Sequence, residues 1–217
     1  VHEDSQRSAK RQFVIDALQR IGRLPEGLTV DEVVLAPTSL GYRNKIELTF
    51  GRDPTSRRVL GYHRAGLPSA LVDVKDCAIA DLRLRPLLAA ARAFFLEGPG
   101  SSEPAIEDGR EPLRLVLRAS NARDERLVAL RGLPGLFASA DAFARVVLEA
   151  DPGLVGVVRI VAAPGRRGGA LVRPVAGRAW ITDDIHGTSF RVPAGTFLQV
   201  HAAAAERLGG HVLEGAG

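Results

Sequence analysis

The chain has 217 residues, 46% of them hydrophobic and 25% charged, long enough for one large domain or one and a half small ones and apolar enough to bury a core. No run approaches the roughly 18 uninterrupted apolar residues of a membrane-spanning helix, and the charged opening His2-Glu3-Asp4 lacks the apolar centre of a signal peptide. The net charge of +4 and a pI near 9.8 permit an anionic partner without demanding one, and a single cysteine excludes an intramolecular disulfide.

The first predicted element is a helix over residues 5–21, with Phe13, Val14, Ala17, Leu18 and Ile21 on one face and Gly22 and Pro25 as stops. A short apolar strand is expected over 30–35. Residues 43–50 alternate with period two, placing Asn44, Ile46, Leu48 and Phe50 on one side. Arg43, Lys45, Glu47 and Thr49 fall on the other, which reads as a wet face. Strands over 59–63 and 71–74 complete an antiparallel meander. A helix over 81–96 carries the stripe Leu84, Leu87, Leu88, Ala91 and Phe95, with Asp81 as N-cap. Residues 97–111 read as a surface loop. A hairpin is expected from 113–119 and 126–130, then a helix over 138–150 with Phe143, Val146 and Val147 inward. The nearly continuous apolar run 154–163 reads as a strand buried on both faces. A loop over 164–169 contains Arg166 and Arg167. Strands over 178–182 and 189–192 precede a last helix over 201–213. This mixture of hairpins and helices predicts an α+β fold with a mixed, largely antiparallel sheet and flanking helices. No Gly-rich nucleotide loop follows a strand; Gly165-Arg166-Arg167-Gly168-Gly169 has neither the spacing nor a following helix.

Three places carry residue types suited to chemistry, each with a plainer reading beside it. Tyr42, Arg43 and Lys45 open a strand just after a loop. The two cations can meet a phosphate backbone and the tyrosine can stack an unpaired base; a solvated strand face would look the same. Phe197 and Gln199 sit where a loop enters the last helix. An aromatic and an amide two residues apart can stack a base and bond its edge; a packed staple with a capping Gln would also explain them. Cys77 reads as an ordinary packed thiol. The five histidines are scattered, with no metal-ligand spacing, and Asp183-Asp184 reads as a solvated turn. The 26 arginines against three lysines fit a GC-rich genome as well as a phosphate-binding surface.

Two distant sets of segments sharpen these readings. One set is Tyr42-Arg43-Asn44-Lys45-Ile46-Glu47-Leu48-Thr49-Phe50, Leu60-Gly61-Tyr62-His63-Arg64-Ala65-Gly66 and Val72-Asp73-Val74-Lys75-Asp76-Cys77. The other is Phe190-Arg191-Val192-Pro193, Thr196-Phe197-Leu198-Gln199-Val200 and Ala205-Glu206-Arg207-Leu208. In this order they resemble the RNA uracil-5 methyltransferases of the TrmA/RlmD type. The match is strong over 42–77 and 187–208 and weak over 97–180, and His201 stands where the family usually has Asn.

The resemblance implies a central RNA-binding domain over 1–192, with 193–217 as the entrance helix of a Rossmann-like methyl-donor domain cut short. Tyr42, Arg43 and Lys45 would then bind rRNA or tRNA. Phe197 and Gln199 would fall on a motif that helps form the target-uracil and S-adenosylmethionine site. Cys77 would correspond to the fourth ligand of a 4Fe-4S cluster in the iron-sulfur branch, its three partners lying upstream. In such enzymes a cysteine thiolate adds to C6 of uracil, C5 takes the methyl group, and a base removes the C5 proton. The nucleophile and base are expected beyond residue 217, so no catalytic residue is assigned here and the chain alone is expected to be inactive. A cytoplasmic monomer is expected. A non-catalytic RNA-binding module, or an unrelated α+β enzyme, would share the fold class and the arginine content.

Overall fold

The computed structural model describes residues 2–102, 113–132, 137–162 and 169–216. It divides into two compact units, Val1–Pro37 and Thr38–Gly217.

In the smaller unit, α1 runs Glu3–Arg20, close to the expected bounds, with Glu3 and Asp4 in its first turn and Arg20 in its last. Those charges suit the helix dipole at both ends. Its expected apolar face is not a buried one: no residue of α1 is buried, and Phe13 and Ile21 are largely exposed. The strand expected over 30–35 is not formed. The run is short and finds no partner strand; instead the Val30 carbonyl accepts from Arg11 Nε (2.7 Å) and Glu32 pairs with Arg7 (2.9 Å).

The larger unit is built on a seven-stranded sheet in the order β3-β2-β1-β4-β5-β6-β7. The strands are β1 Lys45–Arg52, β2 Arg58–Arg64, β3 Leu67–Asp73, β4 Arg114–Ala119, β5 Arg126–Gly132, β6 Leu154–Ala162 and β7 Ala170–Gly177. Every neighbouring pair is antiparallel except β5–β6, which is parallel. Helix α3 (Ala140–Ala150) lies between those two strands in the chain, as a parallel crossover requires. The expected largely antiparallel α+β architecture is therefore observed, and the 154–163 run is an interior strand.

One face of this sheet is covered by helices. The expected 81–96 helix is a composite: a 3₁₀ turn Leu82–Leu84, α2 Arg85–Arg92 and a π turn Ala93–Glu97. Asp81 caps it, accepting from the Arg83 amide at 3.0 Å. Its whole predicted stripe is buried. Phe95 anchors the layer, its ring 4.9 Å from Phe50 and 4.7 Å from Phe143. In α3, Phe143 and Val147 are buried as expected, but Val146 is turned outward and Ala144 takes the inner position.

The other face is covered over β4–β6 by a hairpin of β8 (Trp180–Ile185) and β9 (Thr188–Pro193). Ile181, Val192 and Ala194 pack there on Val116, Leu127, Ala129, Val158 and Ile160. The last helix, α4, spans Ala202–Ala216. Strand β7 is not among the elements expected from the sequence, because Pro174 interrupts its pattern. It is an edge strand, where a proline costs little, and Pro174 sits opposite Val158 at a register shift. Gly61 lies where β2 and β3 approach so closely that a Cβ would come within 1.8 Å of the Val72 carbonyl oxygen. Residues 103–112 and 163–168, including Arg166 and Arg167, lie outside the described residues, as does most of the expected loop 97–111. Among the described residues no helix is long and apolar enough to cross a membrane.

Candidate nucleic-acid interface

The two segment groups read from the sequence are neighbours in space. Residues 41–44 run between 78–81 and 199–201, bonded to both. The Arg43 amide donates to the Ile79 carbonyl (2.7 Å), and the Asp81 amide donates to the Arg43 carbonyl (3.0 Å). On the other side the Asn44 amide donates to the Val200 carbonyl at 2.9 Å. Asn44 is buried, and its side-chain amide donates to the Gln199 carbonyl and to Asn121 Oδ1, both at 3.3 Å. The loop that enters α4 is thus fixed to the start of β1 by backbone and side-chain bonds across about 155 residues of chain.

This junction borders an open groove of about 460 Å³ lined by Tyr42, Asp81, Arg83, Asn121, Asp184 and His201, among others. Tyr42 and His201 stack with ring centroids 4.4 Å apart and planes 13° from parallel. The tyrosine therefore already has one aromatic partner, and it lines the groove while half-buried. Asp81 forms a two-bond pair with Arg83 (3.0 and 2.6 Å). Burial works against the charged carboxylate, but the bonds from Arg83 outweigh it and hold the group below the usual carboxylate range.

Phe197 and Gln199 do not line that groove. They stand on the adjoining loop with exposed side chains, Phe197 at 78%. Phe197 is not a packed staple, so the plainer reading of that residue is overturned. The amide of Ala204 is capped by His201 Nδ1 at 3.4 Å, so the cap at this helix start is His201. A ring this exposed beside a hydrogen-bonding amide is an arrangement that can stack and read an unpaired base.

The wet face of β1 is only half wet. Lys45 and Glu47 are half-buried and Thr49 is buried. Burial, then the nearby Arg118 guanidinium, pushes the Lys45 amine below its ordinary range. Arg43 bends back, its Nε donating to the Lys45 carbonyl at 3.0 Å. Arg118 is 2% exposed, and Nη2 donates to the Thr196 carbonyl at 2.6 Å, which ties the sheet to the Phe197 loop.

Two residues of this junction, Arg118 and Asp183, escape a reading of the sequence. Asp183, expected in a solvated turn, is 1% exposed inside β8. Its carboxylate accepts from Ser120 Oγ, the amides of Asn121, Ala122 and Asp184, and Asn121 Nδ2 at 2.7 Å. Asn121 in turn accepts from Asn44, so a chain of bonds runs from the hairpin to the Gln199 carbonyl. Only the alternation of 180–185 could have placed Asp183 inward, and the adjacent Asp184 obscures it.

Cys77 is half-buried against the helix-side core, its Sγ 4.0 Å from the Tyr62 hydroxyl. Burial, and then the thiol, pushes the Tyr62 phenol up to about 12. Among the described residues no three His, Cys, Asp or Glu side chains are grouped to hold a metal. A four-iron cluster takes four protein ligands; the one thiol here does not make such a site.

No protein-family model matches the chain. Curated proteins do. It is 34% identical over 206 residues to an uncharacterized RNA methyltransferase of Thermosynechococcus vestitus, covering 94% of this chain and 45% of that protein. It is 35% identical over 207 residues to one of Synechocystis, covering 92% and 43%. Among solved structures, it matches the Pyrococcus abyssi tRNA (uracil-54, C5)-methyltransferase in complex with S-adenosyl-L-homocysteine. That match has a TM-score of 0.72 and 19% identity over 99% of this chain and 49% of that one. The chain has the fold of part of a tRNA methyltransferase. It spans about half the length of the curated relatives it matches.

Proposed function

We propose that this chain is the RNA-binding part of an S-adenosylmethionine-dependent RNA (uracil-5-)-methyltransferase, acting in the cytoplasm as a monomer on tRNA or rRNA. The observation that carries the reading is the junction itself. Tyr42 with its stacking partner His201, and the exposed pair Phe197 and Gln199, are brought to adjoining sites although 155 residues separate their segments. Proteins named RNA methyltransferases match over nearly the whole chain, which supports the same reading.

In this reading the 1–192 region holds RNA and 193–217 begins the donor domain. A target uridine leaves its stack, and Phe197 covers its face. Gln199 offers both a donor and an acceptor, the pattern a uracil edge or the donor molecule requires. S-adenosylmethionine, when bound, supplies the methyl group. Tyr42 stacks a neighbouring base, while Arg43 and Lys45 meet the RNA backbone. Cys77 is not assigned as the nucleophile, since its thiol packs against the core beside Tyr62. In a longer protein with three further cysteines it would be one ligand of an iron-sulfur cluster, and absorbance of such a protein in the visible range would test that point.

The whole protein incubated with RNA and methyl-labelled donor tests the proposal. Label recovered as 5-methyluridine supports it. Label in another base, or RNA bound with no label transferred, would sink it, the second result favouring a non-catalytic RNA-binding module.

A further inference from the structure

The sheet face beside the hairpin carries an arrangement of charge that the fold does not need. In the β1–β4 register Lys45 lies directly opposite Arg118, and in the β4–β5 register Arg114 lies directly opposite Arg131. Like charges directly opposite on neighbouring strands destabilise a sheet. Between the two rows stands one carboxylate, Glu47, shared by Arg114 (3.2 Å), Arg131 (3.8 Å) and Lys45 (3.9 Å). Three of these cations therefore share one carboxylate, and the fourth, the buried Arg118, feels only the more distant charge of Asp183, with which it forms no ion pair. Arg118 forms no ion pair among the described residues, and the Nε atoms of Arg118 and Arg131 are buried without a hydrogen-bond partner. Buried donors are nearly always satisfied, and an unmet one calls for an explanation. The hairpin covers the apolar part of this face over β4–β6, whereas Arg114 and Arg131 keep side chains 42% and 36% exposed. Lys45 is 19% exposed, which is an opening and not a seal.

We propose that this face is a phosphate seat for the RNA backbone, with Lys45, Arg114 and Arg131 meeting the phosphates, Arg118 as its buried support and Glu47 as the internal anion that holds the cations until RNA arrives. The proposal rests on the reading of the chain as RNA-binding and shifts the main electrostatic attraction from Arg43 to these four cations. Bonds donated by these cations to RNA phosphate oxygens replace those they donate to Glu47, which then turns to solvent. Through Arg118 and its bond to the Thr196 carbonyl, the seat is joined to the loop that presents Phe197 and Gln199. A strand seated here is held beside the place where a base would be read. The depressed Lys45 amine fits the same account, since an incoming anion favours its charged form.

Binding of a fluorescent single-stranded RNA to the chain across a salt series tests this, for wild type, Lys45→Met, Arg131→Gln and Glu47→Gln. The methionine keeps the lysine's apolar stem, and circular-dichroism melting of each variant checks the fold. Lys45→Met and Arg131→Gln should each flatten the log–log salt dependence by about 0.7, the change expected when one phosphate is no longer neutralised, without lowering the melting temperature. Glu47→Gln should act in the opposite direction, tightening RNA binding and steepening the slope while lowering the melting temperature. Unchanged affinity and slope in folded Lys45→Met and Arg131→Gln overturn the seat, and so does weaker binding by Glu47→Gln. Inorganic pyrophosphate is the second probe. If it raises the melting temperature of wild type but not of Lys45→Met while RNA binding ignores both cation variants, the site takes free phosphates and the RNA seat is wrong. The salt-series result is separable from the proposed function. The predicted shifts in RNA binding, with no methyl transfer by the whole protein, keep the seat and remove the methyltransferase reading.

Discussion

The two faces of the seven-stranded sheet are built to different rules. On the helix side, Leu48, Leu60, Leu115 and Leu117 meet Leu84, Leu87, Phe95 and Phe143 with no polar side chain needed to complete the layer. On the hairpin side the apolar patch stops after β4–β6. The rest of the face carries directly opposed cations, a buried arginine without an ion pair and a half-buried lysine. The first face is consistent at every level and supplies stability. The second violates a local rule of sheet construction, and such violations concentrate at functional sites. Stability and binding are therefore separable in this molecule, and substitutions on the two faces should separate them.

The largest effect belongs to the helix side. Phe95 is fully buried among four other phenylalanine rings. Phe95→Ala should cost about 3–5 kcal/mol of unfolding free energy, as large-to-small aromatic core substitutions do. Denaturant titration would show it; a loss comparable to that of a surface residue would contradict the layer described. Asp183→Ala comes next, at about 3 kcal/mol, because several donors lose their acceptor at once. The same variant should loosen the loop at Gln199 through Asn121 and Asn44, seen as faster amide exchange there. Protection unchanged at Gln199 and Val200 would break that link.

A pH titration gives a smaller, graded effect. Asp73, Asp81 and Asp151 are each disfavoured by burial, but hydrogen bonds from Arg92, Arg83 and Arg126 outweigh it and hold them below the ordinary 3.8. Folded values below unfolded ones mean stability that is complete above about pH 4 and is lost as pH falls through the folded values. Thermal melts should therefore decline on the acid side below about pH 4, and Asp151→Asn should shrink that decline. A melting temperature that rises on acidification would contradict the assignment. Smallest of all is Lys45→Met on the hairpin side, which should leave stability within ~0.5 kcal/mol of wild type or slightly above it, because removing a cation directly opposite Arg118 offsets the lost contact with Glu47. A large loss would mean that Lys45 belongs to the structure and not to a ligand.

The same contrast explains what could be read from the sequence. The helix over 81–96 and the strand over 43–50 were legible because their apolar periodicity matches the side that is buried. The strand expected at 30–35 failed because an apolar run says nothing about whether a partner strand exists, and β7 was hidden by Pro174, which only an edge position tolerates. Tyr42, Arg43, Lys45, Phe197 and Gln199 could be nominated from residue type and resemblance, and the structure places their segments side by side. Arg118 and Asp183 could not, because their roles depend on register and burial. Lys45 opposite Arg118, and Arg114 opposite Arg131, are pairs across strands that no spacing along the chain displays.

Whether the junction reads a target base is decided by the methyl-transfer rate of the whole protein carrying Gln199→Ala, with a circular-dichroism control. Gln199 is exposed and its backbone carbonyl, not its side chain, takes part in the junction, so the fold should be unaffected. A bond made by its amide to the uracil edge or the donor is worth about 1.4 kcal/mol or more in the transition state, which predicts turnover at least roughly tenfold lower. Wild-type turnover in a folded Gln199→Ala protein would contradict the account and leave Gln199 as an ordinary surface residue at the start of α4.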